Sequence, residues 1–385
     1  MRKTKQIETH HHSALVLSGG GARAAYQVGV LKAIADIVPE TTRNPFGIIS
    51  GTSAGAINAV ALAAQADNFR NAVYNIEHVW RGFRAFHVYR SDPGGVLSTA
   101  MRWLMSLVIA SKNRPVSMLD NRPLAQLLED LIPFEHIQEA IDNGYLRAIS
   151  VTASGYSSGQ SVAFFQGTPD ISAWKRFQRV GMRTHLTLDH LLASAAIPAV
   201  FPAVRINREY FGDGAVRQMA PLSPALHLGA KKVLVVGVSG NRSAPQIQKP
   251  LQDYPSLAQI SGHLMNSIFL DSLEYDIERL VRINHVLGMI PDNARKKAQT
   301  TLKPIESLVI SPSQCLDRIA SKYLHILPMS IRVFLHGIGA TRTSGSSILS
   351  YLLFEKPFCQ ELIRLGYHDA MEQREAIHNF MTDES

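Results

Sequence analysis

The sequence predicts an α/β fold, a mainly parallel sheet with helices packed on it. Two stretches carry that expectation. "SALVLSGGGARAAYQVGVLKAIADI" reads as a buried strand, a glycine turn and a helix, and "PFGIISGTSAGAINAVALAAQA" repeats the grammar. Two strand–turn–helix units within the first 66 residues suit parallel strands joined by helical crossovers. Composition agrees: 46% hydrophobic and 18% charged residues over 385 positions describe a globular chain, long enough for one large domain and a smaller unit.

Residues 1–13, "MRKTKQIETHHHS", are basic and polar and read as a flexible tail. They contain no apolar core of a secretory signal, and His10–His12 fits a tail better than a metal site. After the two units, residues 68–145 read as mostly helical, with a loop at "RSDPGG". "MLDNRPLAQLLEDLI" begins a helix with Pro123 in its first turn and leucines at helical spacing. "YLRAISVTASGYSSGQSVAFF" reads as two strands joined by a Gly/Ser turn, and "TLDHLLASAAIPAVFPAV" as a helix stopped by Pro198. A short strand, a turn, a helix and a last apolar strand, Lys232–Val238, follow. "NRSAPQIQKPLQDYPS" is a linker by composition, and beyond it helices are expected at Ser256–Leu287, Cys315–Leu327, Ile331–Phe334 and Ser346–Leu365. The expected division is therefore a tail (1–13), a catalytic domain (14–240) and a mostly helical C-terminal region (241–385).

Net charge is +8, which suits an anionic partner, nucleic acid or an anionic lipid surface. No run of five basic residues occurs, so a nucleic-acid partner is not expected. "MRWLMSLVIASK" and "MSIRVFLHGIG" combine apolar and basic residues, as an interfacial segment or a core helix would. No apolar run approaches the roughly 18 residues of a membrane span. The two cysteines, Cys315 and Cys359, fit a reducing compartment and no zinc motif. A cytoplasmic or peripherally membrane-associated protein is the expectation, with oligomeric state left open.

The chemistry centres on Gly51-Thr52-Ser53-Ala54-Gly55, a G-x-S-x-G between an apolar run and a helix. In that setting the pattern is a nucleophile elbow, a sharp turn that lifts the serine above the sheet and needs small neighbours. Gly155-Tyr156-Ser157-Ser158-Gly159 matches equally well, but between two strands it reads as a hairpin turn. The earlier turn, Gly19-Gly20-Gly21-Ala22-Arg23-Ala24, admits two readings: a dinucleotide fingerprint, or an oxyanion hole of backbone N–H groups beside Arg23. Its position one strand before a nucleophile elbow favours the oxyanion hole.

Two candidates could take the serine proton. A Ser–Asp–His triad would use a late histidine: His263, His285, His325, His336, His368 or His378. The other candidate is Asp213 within Gly212-Asp213-Gly214-Ala215, where flanking glycines permit close approach.

Taken in order, G-G-G-x-R, G-T-S-A-G, A-S-x-A-I-P-x-x-F-P and D-G-A resemble the patatin-like phospholipase family, over about Ala14 to Gly240. Ala24 departs from the glycine that usually ends the first motif. The resemblance implies a three-layer α/β/α sandwich and a lipid acyl hydrolase acting on phospholipids or lysophospholipids. It further implies a Ser–Asp dyad without histidine, with Ser53 as nucleophile and Asp213 as base. Gly19, Gly20, Gly21 and Arg23 would surround the oxyanion, Gly51 and Gly55 would frame the elbow, and Gly214 and Ala215 would complete the base motif. Neither metal nor cofactor is implied.

Overall fold

Apolar strands that cannot reach water on either face must be covered on both, and that requirement organises the molecule. The computed structural model describes residues 11–40, 42–90, 117–240, 257–291, 293–294, 302–329, 332 and 346–382. Strand β1 (Ser13–Leu17) is buried along its whole length, so the strand starts inside the stretch expected as a tail. It lies between β2 (Ile48–Thr52) and β9 (Lys232–Val236), parallel to both. Alternate side chains of β1 enter two cores. Leu15 and Leu17 meet α1 (Ala25–Ile37), α2 (Ala54–Ala63) and α3 (Phe69–Gly82). Ala14 and Val16 meet α8 (Ser223–His227) and α10 (Ser272–Met289). This is the period-two pattern of a sheet with helices on both faces.

The sheet order is β10-β9-β1-β2-β3-β4-β6-β5, with β8 and β7 branching from β3. From β10 (Glu306–Ile310) to β3 (Ala148–Gly155) the strands are parallel. Strand β4 (Ser161–Gly167) turns back as the expected hairpin, and β6 (Arg179–Arg183) and β5 (Trp174–Arg176) extend that side. Strand β7 (Val204–Ile206) pairs with β8 (Glu209–Asp213). Helix α7 (Leu188–Ser194) ends before Pro198 as expected.

The C-terminal region is mostly helical, with one strand that patterning does not suggest. β10 adds a parallel edge strand to β9, so this region completes the sheet. The helical run expected from Ser256 to Leu287 is interrupted. α9 (Leu257–Asn266) passes through a wider π-type turn, Ser267–Asp271, before α10, and the turn carries Phe269 inward. Helices α11 (Leu316–Lys322), α12 (Ser346–Leu352) and α13 (Lys356–Glu372) follow, α13 packing along α1, with α14 (Arg374–Thr382) last. The remaining helices are α4 (Ala85–Val88), α5 (Arg122–Leu131) and α6 (Glu135–Asp142). The stretch Met101–Lys112, most of Met329–Gly339 and the 241–256 linker lie outside the described residues.

Candidate active site

Strand register brings the serine and the aspartate together. β2 pairs with β3 up to Thr52 opposite Thr152. β8 runs the other way and takes up the same side of β3 at the next position, Asp213 opposite Ala153. The two strand ends therefore meet head to head, and the residues leaving them face each other. Ser53 Oγ donates to Asp213 Oδ2 at 2.6 Å.

Ser53 is the turn residue between β2 and α2, at φ 55° and ψ −131°. For a side chain other than glycine this backbone costs about 1–3 kcal/mol and persists only where its surroundings enforce it. Here they do. Ser53 N–H donates to Ser194 Oγ at 2.9 Å, and Ser194 Oγ in turn donates to the Thr152 carbonyl at 2.6 Å. Gly55 lets α2 settle against the carbonyls of Leu17 and Ser18, with no room for a Cβ, and Gly51 lies equally close to Ala56. Helix α2 starts at the serine, so its N-terminal partial positive charge lies at Ser53.

Asp213 is wholly buried. Its N–H donates to the Ala196 carbonyl at 2.8 Å, and its Oδ1 accepts from the Ala215 N–H at 2.9 Å. Gly214 passes directly against the Thr152 carbonyl. Burial pushes the carboxyl up to about 7, against the lowering effect of its bonds from Ser53 and Ala215.

The glycine turn closes the site from the β1 side. A Cβ at Gly19 would stand 3.1 Å from Ser53 Cβ, so this backbone passes beside the serine. Gly21 has φ +56° and abuts the Tyr351 carbonyl, and Gly20 abuts Val238. Among the described residues, neither the Gly19 nor the Gly20 N–H has an acceptor. Phe269, Val238 and Tyr351 pack directly against the three glycines of the turn.

Arg23 departs from expectation. Its guanidinium is turned into the C-terminal region, donating to Ser350 Oγ at 2.8 Å and to Asp317 Oδ1 at 2.5 Å, and lying 3.9 Å over the Tyr351 ring. A guanidinium this buried requires an anion, and Asp317 supplies it. The Arg23 contribution to the turn is its main chain, whose N–H donates to the Gly20 carbonyl at 3.1 Å.

The late histidines stay away. Among the described residues none hydrogen-bonds to Ser53 or Asp213, and His336 lies outside them. Ser157 stands in the exposed β3–β4 turn, its N–H held by Glu209 Oε1 at 2.8 Å. Sequence reasoning missed Ser194 and Gln218. Gln218 Oε1 accepts from Thr52 Oγ1 at 2.7 Å and its Nε2 donates to Thr152 Oγ1 at 3.1 Å, tying the two strand ends together. Ser194 lies inside the A-S-x-A-I-P motif, but nothing in the spacing reveals that its hydroxyl holds the elbow.

From Ser53 a cavity of about 460 Å³ runs along α2 past Ile57 and Ala61 to Gln65. Ile76, Val79 and Trp80 of α3 line it, with Leu124, Leu127, Leu128 and Leu131 of α5 opposite. Asn75, His78 and His136 stand with Gln65 at its polar, solvent-facing end. The volume falls within the roughly 300–1,000 Å³ usual for small-molecule sites.

A mainly parallel sheet with a serine and a buried aspartate meeting at its carboxyl edge defines the class of protein. The family model for patatin-like phospholipase matches residues 15–226, and the chain belongs to that family, whose members hydrolyse lipid esters. The chain is 30% identical over 221 residues to a cGAMP-activated phospholipase of Pseudomonas aeruginosa. That match covers 57% of each protein, so the chain spans little more than half of the relative. Two solved structures also align. VipD from Legionella pneumophila does so at 12% identity and a TM-score of 0.35, over 95% of this chain and 67% of that one. Human GIVD cytosolic phospholipase A2 does so at 12% identity and a TM-score of 0.42, over 97% and 59%.

Proposed function

We propose that the chain is a lipid acyl hydrolase of the phospholipase A or lysophospholipase type, working through a Ser53 acyl-enzyme with Asp213 as base. The observation that carries the reading is the 2.6 Å contact between Ser53 Oγ and Asp213 Oδ2 at the head of an apolar chamber. Ser53 Oγ attacks the ester carbonyl carbon while Asp213 accepts its proton. The negative charge that develops on the carbonyl oxygen falls to the free N–H groups of the glycine turn and the α2 N-terminus. Collapse expels the alcohol, which takes the proton from Asp213 and leaves the acyl group on Ser53. Asp213 then draws a proton from water as its oxygen attacks the acyl-enzyme, and returns that proton to Ser53 Oγ as the bond to the acyl group breaks and the fatty acid leaves.

A carboxyl near 7 makes this chemistry reasonable, because a base works best when its value lies close to the working pH. The chamber suits an acyl chain, each buried methylene adding about 0.8 kcal/mol of binding. Neither a metal nor a cofactor takes part in these steps. Peripheral contact with an anionic membrane, which the +8 charge suggests, is part of the same reading. Its test is hydrolysis of mixed phospholipid vesicles by wild type and Ser53→Ala, with products identified by mass. Free fatty acid and lysolipid from wild type alone are expected. Products from Ser53→Ala at the wild-type rate would end the assignment.

A further inference from the structure

We propose that the sheet edge carrying Ser53 and Asp213 is also the surface that docks on an anionic bilayer, with the tip of the β5–β6 hairpin as its apolar anchor. This rests on the lipid-ester reading above and names the partner and the residues that meet it.

Register places the tip. Asp213 pairs with Ala153, Ala153 with Val162, Val162 with Val180, and Val180 with Lys175. One rung of the sheet thus joins the base to Lys175 across four strand spacings, about 19 Å. Phe177 lies two residues beyond Lys175, in the turn between β5 and β6, and is 86% exposed. Two more hairpin turns project from the same edge. One is the β3–β4 turn, with Tyr156 55% exposed, and the other joins β7 to β8 at Asn207 and Arg208.

The chemistry of these tips matches a bilayer surface. Lys175 and Arg176 lead directly into Phe177, Arg205 and Arg208 lie at the β7–β8 turn, and all four are exposed. None of them forms an ion pair among the described residues. Glu209, also at this edge, accepts from the N–H groups of Ser157 and Ser158 at 2.8 and 2.6 Å. An aromatic ring at a tip beside cations places the ring at the acyl boundary and the charges at the headgroups. From Ser53, at this edge, the chamber runs along α2.

The test uses the full chain and vesicles of phosphatidylcholine alone or with phosphatidylglycerol in equal parts. Wild type should co-sediment with the anionic vesicles only. Lys175→Glu/Arg176→Glu and Arg205→Glu/Arg208→Glu should each lose roughly tenfold or more of that binding, since each cation near the surface contributes about fivefold. Phe177→Ser should weaken it further without changing the melting curve. Turnover of a soluble short-chain ester should stay at the wild-type level in all three. Wild-type binding by the charge-reversed variants would overturn the proposal. So would equal binding of wild type to neutral vesicles, or binding to an oligonucleotide with none to vesicles. Vesicle binding that falls in the variants while wild type turns over no ester would sink the hydrolase reading and leave the docking edge standing.

Discussion

Ser53 and Asp213 each sit in a state that is unfavourable for the fold and useful for chemistry. The Asp213 carboxyl, raised from 3.8 to about 7, holds its proton in the folded chain at pH values where the unfolded chain has lost it. Its contribution to stability therefore falls as pH rises from about 4 to about 7 and levels off above. Activity runs the opposite way, because only the carboxylate can accept the serine proton. We expect kcat/KM on a soluble ester to rise through an apparent value near 7, a profile that stopped-flow or plate assays across pH will read. Asp213→Asn should abolish turnover, and its melting temperature should exceed that of wild type at pH 8 but not at pH 4. A second strain lies in the Ser53 backbone, at φ 55°. Ser53→Gly should lose activity by a factor on the order of 10⁴ or more while melting no lower than wild type. Ser157→Ala should keep its activity, since Ser157 stands in an exposed turn. Spacing made Ser53 legible, because a G-x-S-x-G between strand and helix has one geometric meaning. The partnership with Asp213 is written in register along β3, which no local pattern records. Motif order could suggest it only through family resemblance.

Among the elements, α5 and the C-terminal helices decide what reaches the serine and what holds the glycine turn. The leucines of α5, legible as a helical stripe, line the chamber opposite Ala61. Ala61→Phe should fill part of that space. Its kcat/KM on long-chain esters should drop, by about fourfold for each methylene excluded, with short-chain esters unaffected, as an acyl-length series will measure. Beside the glycine turn, Arg23 is held by Asp317 and Ser350. Asp317→Ala would leave a buried guanidinium unpaired, and a loss of about 3–5 kcal/mol is expected in denaturant unfolding. None of this was legible in advance. An arginine next to a glycine turn reads as an anion ligand until the partner, almost 300 positions away, is seen beside it. The π-type turn that brings Phe269 to Gly19 was hidden for a related reason: its residues keep a helical pattern while their backbone does not.

At the scale of the whole molecule, the first 240 residues and the C-terminal region build one sheet, since β10 closes its edge on β9. The sequence suggested a change of grammar after Asn241 and could not show that β10 returns to the sheet. Five residues with no clean alternation, only one of them fully buried, carry little of a strand's usual pattern. Among the described residues no helix is long and apolar enough to cross a membrane. Salt should then separate docking from chemistry. The Debye length shrinks from about 10 Å at 0.1 M to about 3 Å at 1 M, so vesicle binding should fall while soluble-ester turnover, set by a buried pair, holds. The central claim, that one serine of the whole chain is activated by one buried aspartate, is tested most directly by a fluorophosphonate probe and peptide mapping. The account predicts one label per chain, on Ser53, and none on the Asp213→Asn variant at the same exposure. A label on another serine, or undiminished labelling of Ser53 in Asp213→Asn, would contradict it.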